Sequence, residues 1–439
     1  MSIVELDRAF VWHPFTQERT APAPLAVVRA AGASLFLEDG RELLDMACSW
    51  WVNVHGHSHP KIAGAIARQA ATMEHVIFAG FTHEPAARLA EAIIRALPRP
   101  LSRVFYSDNG STAVEVALKM AWQYWRNTGN AQRRLFLAFQ GGYHGDTFGA
   151  MAVGRTSGYY EPFEELMCEV RHLPFAPTWI NDTNCAEREA EALAAIDALL
   201  DARADECAAF LAEPLVQGAS GMNMCRPEFL RAVVERMQAR HIPVILDEVM
   251  TGFGRTGTLF ALEQAGVVPD LVCLSKGISG GFLPLAATVA STRIYDAFLG
   301  EDFHTAFAHG HSFTANPLGC AAGLASFALF ETEDTLGRIA RITSANRAWL
   351  AEVASLPGVA RPRALGSIAA VTLGSDSSDY HAGIGAAIKA KCLERGLLIR
   401  PMGNVVYLMP PACISASELA RAQEGLTLVL RETAHLYAP

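Results

Sequence analysis

Two ionisable side chains of opposite sign occupy matching places in the sequence. Pro243-Val-Ile-Leu has the composition of a buried strand and ends at Asp247-Glu248, while Leu271-Val-Cys-Leu-Ser275 forms a second such run ending at Lys276. The separation of 29 residues suits a βαβ unit. In open α/β sheets ligands bind beyond the carboxyl ends of the strands, so this acid and this lysine would face one crevice. That pairing meets the needs of a pyridoxal phosphate enzyme. The lysine forms an imine with the cofactor's aldehyde, and the acid keeps the pyridine nitrogen protonated so that the ring withdraws electrons. Gly277, Gly280 and Gly281 would let backbone approach a ligand closely. The plain alternative is a salt bridge on a solvated rim. A P-loop is excluded, because Gly-x-x-x-x-Gly-Lys-Ser/Thr does not occur around Lys276.

Three other clusters bear on chemistry. In Ser107-Asp-Asn-Gly-Ser-Thr112 a strand runs into a glycine turn and a helix opens at about Ser111. Free N–H groups at a helix start, with a hydroxyl, suit a phosphate, and ordinary capping by Ser or Thr is the competing reading. Phe139-Gln-Gly-Gly-Tyr-His-Gly-Asp146 places Tyr143 in a glycine-rich loop, where its ring either stacks on a planar cofactor or plugs the core. His55-Gly-His-Ser-His59 and His309-Gly-His311 raise a metal hydrolase as the rival chemistry. Pro60 and the glycines favour a turn over a strand there, and His83-Glu84 continues as Pro-Ala-Ala rather than as His-Glu-x-x-His, so no metal is expected. The Trp50-Trp51 pair has the composition of core.

The elements that must hold these residues alternate from about residue 103. Arg103–Ser107, Leu135–Phe139, Ala208–Glu213, Pro243–Asp247, Leu271–Ser275 and Ala286–Ala290 are strand-like, with helical runs at Thr112–Arg126 and Pro227–Gln238. Such alternation argues for an α/β domain with a largely parallel sheet. A buried helix is expected from Asn316 to Phe330, its start marked by an Asn cap and Pro317. An α+β tail follows, and short strands near Ala26 and Ser34 are expected to pack with it.

The 439 residues suit one large domain with a smaller companion. With 36 Lys and Arg against 45 Asp and Glu, the net charge of −9 argues against nucleic acid and anionic membrane as partners. No apolar run approaches the ~20 residues of a transmembrane helix. The acidic start lacks a secretory signal's basic region. Nine cysteines without a Cys-x-x-Cys pair suit reduced thiols, and a cytoplasmic location is expected. Only 18% of residues are charged, which points to surface hidden at a subunit interface.

Asp247-Glu-Val-Met-Thr-Gly-Phe-Gly-Arg-Thr-Gly257 and Pro269-Asp-Leu-Val-Cys-Leu-Ser-Lys-Gly-Ile-Ser-Gly-Gly281 resemble the signature of the class III pyridoxal phosphate aminotransferases. Gly110-Ser111, Tyr143-His144, Glu213-Pro214 and Asn316-Pro317 extend that resemblance over the catalytic domain. Trp12-His-Pro-Phe-Thr-Gln17, Met46–Trp51, Val54–Pro60 and Ile399–Pro411 are similar to stretches of the adenosylmethionine-8-amino-7-oxononanoate aminotransferases within that class. The resemblance implies a fold-type I transferase with a mostly parallel, seven-stranded sheet sandwiched by helices. Residues 61–331 would form the large cofactor domain, and 1–60 with 332–439 a small α+β domain. It further implies pyridoxal 5'-phosphate as cofactor and a homodimer with shared active sites. The substrates would be S-adenosylmethionine and 8-amino-7-oxononanoate, in biotin synthesis.

By the same resemblance Lys276 is the imine lysine and proton carrier, and Asp247 the pyridinium partner. Gly110 and Ser111 hold the phosphate, and Tyr143 lies against the ring. Arg400 binds the oxononanoate carboxylate, Trp50 and Gly310 belong to the substrate site, and Ser312 reaches the phosphate of the neighbouring subunit. Two positions depart from the pattern. Phe15 stands where well-known members have a tyrosine, which keeps the stacking surface and removes a hydroxyl. His311-Ser312 stands where Pro-Thr is often found, and a hydroxyl remains. The rival within the class is an ω-amino acid:pyruvate aminotransferase, against which the Trp12–Gln17 and Arg400–Pro411 stretches speak.

Overall fold

The structure is a computed structural model that describes residues 1–154, 158, 160–374 and 383–438. Its centre is a seven-stranded sheet in the order Leu101–Ser107, Ala286–Ser291, Leu271–Leu274, Val244–Asp247, Cys207–Ala212, Leu135–Phe139 and Val170–Leu173. All neighbours pair parallel except Ala286–Ser291, which is antiparallel to both of its neighbours. The central strands are continuous apolar runs because helices cover both faces and leave neither to water.

Successive side chains of a strand point to opposite faces, and the packing follows that period of two. Ile245 and Leu211 pack with Ala113, Val114 and Ala117 of the Gly110–Asn127 helix. Leu246 and Phe210 face the other way, onto the cluster that contains Phe229 and Val233 of the Pro227–Ala239 helix. There Phe139 lies 5.1 Å from Phe210 and 5.8 Å from Phe229, centroid to centroid. Each such buried ring contributes about 1.5–3 kcal/mol of transfer free energy.

The chain's two ends meet in smaller sheets. Val27–Ala31, Ser34–Leu37 and Glu42–Asp45 form a meander whose last strand pairs parallel with Leu397–Leu398, in the register Leu44 to Leu397 and Asp45 to Leu398. The strands expected near Ala26 and Ser34 therefore join one from the tail. Val359–Leu365, Ile368–Leu373 and Val405–Leu408 make an antiparallel sheet. Leu44, Met46, Trp349, Val371, Leu408 and Leu426 share the core beneath. The helix expected from Asn316 runs Pro317–Thr332, with the Asn316 side chain accepting from the Leu318 and Gly319 amides at 3.1 and 3.0 Å. The next helix starts at Thr335, and Asp334, between the two helices, takes a left-handed conformation (φ +50°).

The histidines of 55–59 are divided among separate partners. His55 bonds to the Ser326 hydroxyl (3.2 Å), His57 to Asp45 (2.9 Å) and His59 to Glu333 (3.4 Å), and the helix Pro60–Thr72 starts directly after them. Among the described residues no three His, Cys, Asp or Glu side chains are grouped to hold a metal ion. None of the described helices is long and apolar enough to cross a membrane.

Candidate active site

A cavity of about 590 Å³ opens at the carboxyl ends of the central strands. It is lined by Lys276, Asp247, Tyr143, Gly110, Ser111, Trp50, Phe15 and Arg400, so eight of the ten positions singled out in the sequence share one wall. Gly310 and Ser312 do not line it. Both are exposed on the segment before Asn316, where the Ser312 carbonyl accepts from His75 at 2.5 Å.

Asp247 ends its strand inside the cavity wall and is almost fully buried. Its Oδ2 accepts from His144 Nδ1 at 2.7 Å and its Oδ1 from the Val249 amide at 3.0 Å. Glu248, the adjacent acid, turns away into the core. There it accepts from the Thr251 hydroxyl (2.7 Å) and the Ala261 and Leu262 amides (3.0 and 2.8 Å). Alternation along the strand thus turns Asp247 to the cavity and Glu248 to the core.

Lys276 follows the neighbouring strand and holds left-handed backbone (φ +43°), an uncommon state for a non-glycine residue and one that clusters at functional sites. Its amine lies 4.8 Å from the centroid of Trp51. Burial lowers its pKa to about 8, against the opposing pull of Asp247 and Glu213. In the apo chain, labelling of Lys276 by pyridoxal phosphate and borohydride should therefore climb as pH rises through about 8 and level off above it. A solvated lysine would still be gaining reactivity near its ordinary value of about 10.4, and that profile would contradict the burial argument.

The Gly110–Asn127 helix points its first turn, where N–H groups lack partners within a helix, at the same space. Its cap is Asn109, not Ser or Thr: the Asn109 side chain accepts from the Thr112 amide (3.0 Å) and the Thr112 hydroxyl accepts from the Asn109 amide (3.2 Å). Ser111 is thereby spared from capping, and its hydroxyl accepts from the Asp146 amide at 3.1 Å. Glycine is required at 110, since a Cβ there would lie 2.7 Å from Val249 Cγ1. Tyr143 is held by its backbone amide on Glu213 (3.1 Å) and by its hydroxyl on Asp146 (3.0 Å).

The remaining wall is aromatic and cationic. Arg400 stacks 4.3 Å from the Trp50 centroid and 5.9 Å from that of Trp51, and Phe15 meets Trp50 edge-on at 5.6 Å. Sequence composition suggested core for the tryptophans. The structure gives core burial to Trp51 alone and turns both toward the cavity, because the backbone leaves helical geometry at Ser49 and Trp50.

Sequence reasoning assigned no role to His144 or Glu213, and to Trp51 only a place in the core. Glu213 follows a strand end just as Asp247 closes one, so the same rule applied to Cys207–Ala212 would have found it. Its carboxylate also accepts from the Gly218 amide (2.9 Å), and burial raises its pKa to about 7.

These residues fit pyridoxal phosphate. Asp247 has used one acceptor site on each oxygen and retains capacity for a pyridinium N–H, while the glycine-tight helix start offers donors to a phosphate. The amine that would react stands in the same cavity.

The chain's likenesses agree with this geometry. The Aminotransferase class-III family profile matches residues 15–430. An adenosylmethionine-8-amino-7-oxononanoate aminotransferase of Synechococcus elongatus is 53% identical over 96% of this chain and 98% of its own. The protein of that name from Geobacter sulfurreducens is 39% identical over 96% of this chain and 95% of its own. The crystal structure of the one from Methanocaldococcus jannaschii superposes with a TM-score of 0.90 at 33% identity, covering 98% of each chain. A PLP-bound amine transaminase from an uncultivated Pseudomonas species superposes at 0.90 with 31% identity, over 96% of this chain and 98% of that one. Together, the carboxylate and lysine at adjacent strand ends, the helix start that lines the same cavity and these matches make the chain a member of the class III aminotransferases, within the group of adenosylmethionine-8-amino-7-oxononanoate aminotransferases.

Proposed function

We propose that the protein transfers an amino group from S-adenosylmethionine to 8-amino-7-oxononanoate, giving 7,8-diaminononanoate in biotin synthesis. The observation that carries this reading is the pairing, in one cavity, of a lysine suited to proton transfer with an aromatic wall that bears Arg400. When bound, pyridoxal phosphate supplies an aldehyde that exchanges amines and a ring that takes up electrons. Lys276, with its pKa near 8, is poised to accept a proton from the donor's α-carbon and return one to the acceptor's carbon. Asp247, oriented by His144 and the Val249 amide, holds a proton on the ring nitrogen. Gly110 and Ser111 grip the phosphate, and Tyr143 confines the ring. Trp50 and Phe15 offer flat faces to the donor's adenine, and the Arg400 fork takes both oxygens of the acceptor's carboxylate.

The assembly in this reading is a homodimer in the cytoplasm. Ser312, exposed and outside its own chain's cavity, would meet the phosphate bound by a second copy, with Gly310 beside that copy's substrate. A single turnover of the loaded enzyme with each candidate amine tests the donor. S-adenosylmethionine should remove the cofactor's visible absorbance, and lysine or β-alanine should leave it in place. Loss of absorbance with β-alanine, and recovery with pyruvate, would transfer the chain to the ω-amino acid class.

A further inference from the structure

The histidine cluster and the tryptophan pair, which share no chemistry in the sequence, are joined in the structure by Asp45. The strand Glu42–Asp45 ends on this residue, which is fully buried and lies outside the cavity. Its Oδ1 accepts from the Ala47 amide at 3.0 Å, and its Oδ2 from the Ser49 amide at 2.6 Å and from His57 Nε2 at 2.9 Å. His57 is itself fixed through its backbone, its amide donating to the Gly32 carbonyl (2.8 Å) and its carbonyl accepting from the Gly32 amide (3.1 Å).

The carboxylate clamps a strained turn. Cys48, Ser49 and Trp51 have φ of +49°, +57° and +68°, and none is glycine. Left-handed backbone at three of four such residues persists only where its surroundings over-determine it. Arg255 grips the turn from the far side, donating to the Trp51 carbonyl at 3.3 Å and to Cys48 Sγ at 3.8 Å. The turn delivers the Trp51 indole beneath both the Lys276 amine and the Arg400 guanidinium, with its Nε1 donating to the Tyr407 hydroxyl at 2.8 Å. Arg400 leaves the same sheet, two residues beyond the Leu398 that pairs with Asp45.

We propose that Asp45 and His57 are positioning residues that lock the Cys48–Trp51 turn, so that Trp51 holds the acceptor-binding Arg400 in register with the proton carrier Lys276. The assignment of Arg400 to the acceptor rests on the function proposed above; the locking of Trp51 against Lys276 does not.

The test uses the holoenzyme of Asp45→Asn, His57→Gln, Trp51→Phe and the double variant Asp45→Asn/Trp51→Phe, with each half-reaction measured in single turnovers. Misplacement at the reacting groups should slow the acceptor half-reaction roughly 10-fold or more in each single variant, and the donor half-reaction much less. The double variant should be no slower than Trp51→Phe alone, because residues that act through one another do not add. A second readout needs no substrate. In the apo chains, the pH midpoint for trapping pyridoxal phosphate on Lys276 should fall by about half a unit in Asp45→Asn and Trp51→Phe alike, as the amine loses the indole face that favours its charge. The charges around that amine, Asp247, Glu213, Arg255 and Arg400, are unchanged in these variants.

Equal losses in both half-reactions, additive in the double variant and with an unmoved midpoint, would reduce Asp45 to a support of the fold and overturn the proposal. If Asp45→Asn does not fold, His57→Gln combined with Trp51→Phe completes the same cycle. Should the wild type prove inert toward both proposed substrates, the function proposed above fails, and the trapping midpoints still decide whether Asp45 and His57 hold Trp51 against Lys276.

Discussion

Lys276→Ala should abolish transamination, with single-turnover rates in both half-reactions reduced by about 10³-fold or more, because in the function proposed above the variant would lose both the amine that anchors the cofactor and the group that carries the proton. The visible absorbance of the loaded protein should change at the same time, since it depends on the bond to this amine. A small free amine supplied in solution should restore part of the rate, as a diffusible base replacing a fixed one. Activity above about a hundredth of wild type, with the spectrum intact, would place the proton transfer elsewhere. Alanine inherits the left-handed backbone of position 276, and the substitution removes a buried amine whose charge is disfavoured there.

That stability effect has a definite sign. The folded-state pKa of Lys276, about 8, lies below that of an unfolded lysine, so between the two values the unfolded chain binds more protons. The stability of apo wild type relative to Lys276→Ala should therefore rise with pH above about 8 and flatten near the ordinary lysine value, and denaturant midpoints across that range would show it. A flat difference would mean that the amine is solvated.

Much of this site was legible in the sequence because strand-end positions carry their own rule. Asp247 closes one apolar run and Lys276 follows another by way of Ser275, and the βαβ spacing sets those runs side by side, as the parallel register of Val244–Asp247 with Leu271–Leu274 confirms. Gly110 was legible for a similar reason, a glycine at the point where a strand turns into a helix. Trp51 and Asp45 were not. Their roles depend on three non-glycine residues in left-handed backbone, and no propensity announces such a turn. His144 was hidden by its neighbour, since the Tyr143 ring drew the chemistry while the imidazole that grips Asp247 lay next to it. The pairing of the chain's two ends in one sheet could be expected from short strands, but its register, Asp45 beside Leu398, is a property of tertiary packing alone.

That register bears on the second large effect, expected in Arg400→Ala. The guanidinium lies on Trp50 and near Trp51, in contact with the Tyr407 hydroxyl, so its plane is fixed before any substrate arrives. A prepositioned fork loses little freedom on binding a carboxylate and forms two parallel, charge-assisted bonds. Hydrogen bonds to charged groups contribute about 1.5–3 kcal/mol, so truncation should weaken use of 8-amino-7-oxononanoate by about 10- to 100-fold. In the function proposed above the donor's adenine would rest on Trp50 and Phe15, so the donor half-reaction should fall less. Arg400→Lys separates charge from geometry: the ammonium keeps the attraction and loses the fork, so it should recover only part of the deficit. An acceptor analogue whose carboxylate is replaced by an amide should react equally slowly with wild type and with Arg400→Ala. If the variant instead slows both half-reactions alike, Arg400 shapes the aromatic wall rather than clamping the acceptor, and the carboxylate must bind elsewhere in the cavity.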